Sequence, residues 1–259
     1  MTKLPPVDGL LVIDVGNTRV AMAAWTPGAL GPARRAAVEN EAEWTEQLHA
    51  AWDELRAARS RAVVIGSVNT PALARIRSAA DEAFADDVLL VGDDVPLPMP
   101  IDTDPETVGP DRVCCAAAAF EQVQGACAIA SFGTAITVDC VSAEGRFMGG
   151  AILPGFQMSL DALHDHTDRL PAVQAAAPNS ACGRSTPEAM LAGVVYGAAG
   201  ALREIVERFA TELRSWPPLV VTGGNAALIH PHANFIDAVV PDLCLRGIAL
   251  AYRRAAGIP

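Results

Sequence analysis

Apolar positions along the chain fall into short continuous runs separated by longer stretches of helical period. The run Leu10 to Ile13, closed by Asp14, Gly16 and Asn17, predicts a buried strand entering a turn built from residues that tolerate positive φ. Val20 to Trp25 predicts a second strand paired with the first. Residues 39–59 are rich in Ala, Glu, Leu and Arg, and Trp44, Leu48, Trp52 and Leu55 recur at helical spacing, so the tryptophans belong to a core face. A strand at Ala62 to Ile65, a helix at Pro71 to Phe84 and a strand at Val88 to Val91 complete a β-then-α alternation typical of an α/β domain.

The stretch that follows, VGDDVPLPMPIDTDPETVGPDR, is too dense in Pro and Asp for regular structure and reads as a linker and site-forming loop. Beyond it the pattern predicts a helix over 111–124, strands over 126–130 and 136–141, and a long helix over 186–209 that tolerates Gly193, Gly197 and Gly200. A strand over 219–221 and a helix over 243–256 close the chain. The order strand, Gly-containing turn, strand occurs twice, as DVGNTRVAM and SFGTAITVD, at matching places in the two halves. Two related domains, 1–105 and 106–259, are the expectation.

Composition narrows the function. A net charge of −11 argues against nucleic acid as a partner, because phosphate backbones demand clustered Lys and Arg. It leaves ATP open, since backbone N–H groups and a divalent cation hold phosphates without a basic surface. The N-terminal MTKLPPVDGLLVIDVGN lacks the apolar core and cleavage site of a signal peptide, and no uninterrupted apolar stretch of spanning length occurs, so a cytoplasmic protein with no membrane span is predicted. The six cysteines form no CxxC pair and sit among apolar neighbours, as buried free thiols do. His164 with His166 and His230 with His232 lack partners for a metal site and are read as surface or loop residues.

Candidate chemistry gathers at four places. Asp14, Gly16, Asn17 and Thr18 end a buried strand, where an Asp can hold a Mg²⁺-bound water and a turn can face phosphate; an ordinary hairpin turn uses the same residues. Gly133, Thr134, Thr137 and Asp139 form a second such turn. TGGNA at 222–226 allows close approach of a flat ligand, or is simply a glycine turn. In GPDR at 109–112, Asp111 is a candidate general base and Arg112 a candidate anion clamp; a helix cap with a surface ion pair is the plainer reading. Walker A, GxGxxG, HRD, DFG and GxSxG motifs are all absent.

The ordered set DVGNTR (14–19), GPDR (109–112), FGTAITVD (132–139), GRFMGGAILPG (145–155), ST (185–186) and TGGNA (222–226) resembles the motifs of type III pantothenate kinases. That resemblance implies two duplicated ribonuclease-H-like (actin-like) α/β domains with a nucleotide cleft between them, a homodimer, and ATP-dependent phosphorylation of pantothenate in coenzyme A synthesis. It implies that Asp14, Val15, Gly16, Asn17, Thr18, Arg19, Val20, Ala21 and Thr134 line ATP. Asp111 would be the catalytic base, with Gly109, Pro110, Asp111, Arg112 and Thr186 touching pantothenate. Asp14 would hold Mg²⁺ through water.

Three positions depart from the family pattern. Ser131 replaces an Asp that ligates a monovalent cation (K⁺ or NH₄⁺), Cys115 replaces an Asn, and Asp102 stands where a Tyr is expected. Ser131 supplies no charge, so cation affinity is expected to fall. A nucleotide-binding regulatory homologue without turnover, and a sugar or acetate kinase of the same superfold, are the other readings.

Overall fold

The central strand of the first sheet shows how sequence becomes architecture. The structure, a computed structural model, describes residues 4–84 and 87–258; the first three residues of the N-terminal segment lie outside them. Unit 1 runs through β1 (Gly9–Val15), β2 (Arg19–Thr26), β3 (Ala29–Leu30), β4 (Arg34–Ala37), α1 (Glu41–Asp53), β5 (Arg61–Ser67), α2 (Thr70–Ala83), β6 (Val88–Leu90) and α3 (Pro110–Val123). Unit 2 holds β7 (Cys127–Phe132), β8 (Ala135–Val141), β9 (Phe147–Pro154), α4 (Phe156–Asp165), α5 (Thr186–Leu213), β10 (Leu219–Thr222), α6 (Ala226–Ile229) and β11 (Ala238–Val239). The chain then returns to unit 1 with α7 (Leu243–Ala256).

Alternation along β1 divides its side chains between two cores. Leu11, Ile13 and Val15 pack with Trp44, Leu48 and Ile76 of α1 and α2. Leu10 and Val12 pack on the other face with Cys114 of α3 and Leu245 and Ile248 of α7. Each such burial stabilises by about 1.5–3 kcal/mol, which is why a strand covered on both faces reads as an unbroken apolar run. Trp52 stacks on Phe84 at 4.3 Å, so the tryptophan stripe is core as the periodicity required.

The two sheets share one strand order, the first carrying β4 as an additional strand antiparallel to β2. In the first, the order is β3-β2-β1-β5-β6, with β2 antiparallel to β1 and β5 and β6 parallel to it. In the second, the order is β11-β10-β7-β8-β9, with β8 antiparallel to β7 and β10 and β11 parallel. A central first strand, an antiparallel pair on one side and a parallel pair on the other recur in both, which is the duplication that the repeated strand-turn-strand pattern implied.

The units nevertheless divide along other lines than 105/106. Unit 1 comprises residues 1–121 and 242–259, and unit 2 residues 122–241. The Pro- and Asp-rich loop is therefore internal to unit 1 and no linker, and Arg254 of α7 donates to the Pro98 carbonyl within it. Burial of Cys114 between β1 and α7 ties α3 to the first sheet. Composition signals a loop, but which core claims the helix after it depends on contacts distant in sequence.

Helix and strand spans otherwise lie near expectation, with α1 ending at Asp53, short of Arg59. The strand β9 and the helix α4 were not anticipated: Gly149 and Gly150 weaken the strand signal, and the exposed polar residues of α4 leave only Phe156 and Leu160 buried. The helix α5 is long and apolar enough to cross a membrane by length and composition, with 33% of its most apolar window buried. Its inner face, Val195, Ala199, Leu202 and Val206, covers the second sheet.

Candidate active site

Period two along β1 dictates where Asp14 points. Leu10 and Val12 face α3 and α7, and Asp14 is the next residue on that side. It therefore meets Asp111 at the start of α3 and Cys244 at the start of α7, with which it shares a hydrogen bond. Burial, then the charge of Asp111, pushes the Asp14 carboxyl up to about 7, while the Cys244 hydrogen bond pulls it down.

Asp111 lies in the first turn of α3, behind Pro110 at the helix start, and the Arg112 amide donates to the Gly109 carbonyl at 3.1 Å. Its Oδ1 is buried without a hydrogen-bond partner. Burial raises its pKa against the opposing influence of Arg112, whose backbone hydrogen bond and charge lower it. A Cβ at Gly109 would strike that Oδ1, so only glycine leaves the carboxylate its place. Asp111 is thus no exposed helix cap. It is an acceptor held inside with one lone-pair face unused, a costly arrangement in a stable fold unless a ligand completes it.

A cavity of about 490 Å³ opens beside Pro110 at the carboxyl ends of β5 and β6, lined by Ser67, Leu90, Gly92, Leu97 and Val108. Ligands in open α/β sheets favour such strand ends. The 91–110 loop supplies much of the wall.

The phosphate-turn candidates sort themselves by side chain. The β1–β2 turn is closed by the Gly16 amide donating to the Arg19 carbonyl at 3.0 Å, and the Asn69 side chain donates to the Gly16 carbonyl at 3.3 Å. Asn17, Thr18 and Arg19 are exposed, whereas Val15 and Val20 are core residues that leave only backbone outside. Gly16 and Asn17 tolerate positive φ but do not use it; the turn closes without it. Ala21 is half-buried against the α3–α7 core.

In unit 2, Ser131 is the penultimate residue of β7 as Asp14 is of β1; Asp14 pairs with Ala21 and Gly66, Ser131 with Thr137 and Thr222. The following turn, Gly133 and Thr134, receives the Gly155 amide on the Thr134 carbonyl at 3.1 Å. The Asn225 amide donates to the Phe132 carbonyl at 3.1 Å, and Gly223, at φ +97°, lies against the Phe132 backbone. The motifs FGTAITVD, GGAILPG and TGGNA therefore converge on one turn, with Thr134 exposed. The need for glycine at 223 comes from the protein's own strand, where the sequence suggested a ligand's approach. Thr186 stands at the start of α5, capped by Ser185, and lines a largely apolar groove of about 700 Å³ with Ala162, Leu163, Met190 and Gly193.

The type III pantothenate kinase family profile matches residues 10–208. The chain belongs to that family. It is 36% identical over 252 residues to a type III pantothenate kinase of Geobacter sulfurreducens, covering 95% of this chain and 98% of that protein. Its fold is that of actin-like ATPases. A conserved Baf family protein of Campylobacter jejuni, a candidate transcriptional activator, superposes with a TM-score of 0.62 at 17% identity over 95% of this chain and 99% of that one. MreB5 of Spiroplasma citri bound to AMPPNP superposes with a TM-score of 0.50 at 10% identity over 96% of each chain. At these identities the likeness concerns fold alone.

Sequence motifs singled out Asp14 and Asp111, which the fold brings together, but not Cys244, which no motif contains. They also missed Gly247, where a Cβ would collide with the backbone carbonyl of Cys114, so that α7 and α3 touch backbone to backbone. The spacing Cys244 to Gly247, one helical turn, was the available signal. Four cysteines are buried as expected, Cys244 is half-buried, and Cys182 is exposed.

Proposed function

We propose that the chain transfers the γ-phosphoryl group of ATP to the primary hydroxyl of pantothenate, the first step of coenzyme A synthesis. The observation that carries this reading is the buried, unpartnered Oδ1 of Asp111 beside Asp14. A carboxylate so placed accepts the hydroxyl proton as the new bond forms, and its raised pKa makes it a stronger base than an exposed Asp. In unit 1 the cavity at Pro110 receives the acceptor, and Gly109, Pro110 and Arg112 are assigned to it; in unit 2 Thr186 is assigned to pantothenate on the family motif alone. The 14–21 segment and Thr134 face ATP, and phosphoryl transfer needs little beyond such positioning and charge.

Mg²⁺ fits the residues present. Among the described residues no three His, Cys, Asp or Glu side chains are grouped to hold a metal, but Mg²⁺ keeps its waters and takes one or two carboxylates with substrate phosphates. Asp14, ionised only at the expense of burial and of Asp111, is suited to hold it through water. When bound, Mg²⁺ neutralises charge on the phosphates. Ser131 occupies the monovalent-cation position with a neutral oxygen, so K⁺ or NH₄⁺ dependence is weakened. The apolar groove between α4 and α5, the exposed Ile152, Met158 and Leu163, and the open flank at Gly193, Gly197 and Gly200 favour a homodimer through this side of unit 2. We assign the enzyme to the cytoplasm, in keeping with relatives named as kinases of a biosynthetic pathway. The regulatory reading has no observation of its own.

The test is pantothenate-dependent ADP release with Mg·ATP, run with K⁺, with NH₄⁺ and with neither. Turnover should require pantothenate, persist without either cation, and fall about 10²–10⁴-fold in Asp111→Asn while Mg·ATP still binds. A protein that binds Mg·ATP and never consumes it with pantothenate would refute the assignment.

A further inference from the structure

One apolar side chain stands in solvent beside the candidate base. Val68, directly after β5, is 39% exposed, although the backbone around it is tied down. Its amide donates to the Val15 carbonyl at 3.2 Å, and the Asn69 amide donates to the Ser67 hydroxyl at 3.1 Å. The Asn69 side chain donates to the Gly16 carbonyl at 3.3 Å and accepts from the Ala72 amide at 3.1 Å. The segment is thereby pinned between the end of β1 and the start of α2, and the place of Val68 is set by the fold.

Single apolar residues on a surface are ordinary. Position separates this one from them. Its Cγ1 lies 3.3 Å from the point where a Cβ at Gly109 would stand, and the buried, unpartnered Oδ1 of Asp111 lies against the same point. Ser67 and Thr70, on either side of it in the chain, line the cavity at Pro110. A fixed valine methyl and a free carboxylate oxygen therefore meet at one glycine, which sets an apolar surface next to a proton acceptor.

We infer that Val68 is a specificity-determining residue: it packs against the two methyl groups on the carbon that carries the reacting hydroxymethyl of pantothenate, while Asp111 takes the hydroxyl. This rests on the reading of pantothenate as the acceptor and of Asp111 as its base. In that molecule the hydroxymethyl and both methyl groups share one carbon, so a site that holds the hydroxyl at Asp111 brings the methyl groups to whatever stands beside it. Contact with Val68 removes apolar surface of both partners from water, and an acceptor without the methyl groups leaves the valine wet.

The experiment measures kcat/KM by ADP release with Mg·ATP for pantothenate and for its analogue with both methyl groups replaced by hydrogen, on the wild type, Val68→Ala and Val68→Thr. One methylene in an apolar pocket is worth about 10–200-fold, and a residue partly in solvent belongs at the lower end. The wild type should therefore prefer pantothenate by about tenfold, and Val68→Ala by only about twofold. Val68→Thr keeps the shape and loses one methyl group, so its preference should fall between them; it replaces the alanine variant if that one fails to fold. A general weakening of the fold slows both substrates and leaves the ratio unmoved, so the ratio reads the contact. A wild type that treats the two acceptors alike, or variants whose preference equals that of the wild type, overturns the inference. A wild type that consumes no ATP with pantothenate instead removes the acceptor assignment, and this inference with it.

Discussion

Replacing Asp14 with Asn should make the ligand-free protein more stable at neutral and alkaline pH. The carboxyl titrates near 3.8 in an unfolded chain and at about 7 in the folded one, because it is buried beside Asp111. Between those values the folded state binds more protons than the unfolded state, so stability falls as pH rises from about 4 to about 7 and is level above that. A rise from 3.8 to about 7, at about 1.36 kcal/mol per tenfold change in proton affinity, sets a ceiling of about 4 kcal/mol. An Asn in the same place remains a buried polar group, so a net gain of about 2 kcal/mol is the working expectation. For a chain of this size that is a rise of about 4–8 °C in the unfolding midpoint. The assay is thermal unfolding of wild type and Asp14→Asn from pH 4 to 8.5, without metal or nucleotide. Near pH 4 the variant should be the less stable protein by about 2 kcal/mol, the cost of the buried amide, and the order should invert to the full gain by pH 8. A variant less stable than the wild type at pH 8, or a difference independent of pH, refutes the reasoning.

Gly247→Ala should cost about 1–3 kcal/mol, since the added methyl meets the Cys114 backbone, which cannot rotate aside; a lowered unfolding midpoint together with weakened Mg·ATP binding would register the separation of α7 from α3. Gly197→Leu meets nothing within the chain and removes a helix glycine worth up to about 1 kcal/mol, so the isolated fold should tolerate it. Light scattering on that variant should report a monomer if the outer face of α5 is the dimer contact, and a dimer of unaltered mass excludes it.

Much of the molecule is legible from local pattern. A continuous apolar run predicts a strand buried on both faces, and β1 is such a strand because one set of its side chains packs on α1 and α2 and the other on α3 and α7. The paired turns at 14–19 and 131–134 follow from repeated strand-turn-strand spacing, and the register confirms that Asp14 and Ser131 hold equivalent places. The glycine-bearing β9 and the thinly buried α4 were not legible, because their burial comes from neighbouring elements and not from their own period.

What the sequence by itself determined is the kind of chemistry: which carboxylates stand at strand and helix ends, which turns can face phosphate, and which family shares their order. These are local properties, carried by residues close together in the chain. Only the tertiary structure decided what surrounds the carboxylates. Asp14, Asp111 and Cys244 come from three distant segments, and the raised pKa values, the orphaned Oδ1 and the thiol hydrogen bond exist only once α3 and α7 close over the end of β1. Burial and proximity set the proton affinity of a carboxyl group, and both are properties of the folded chain.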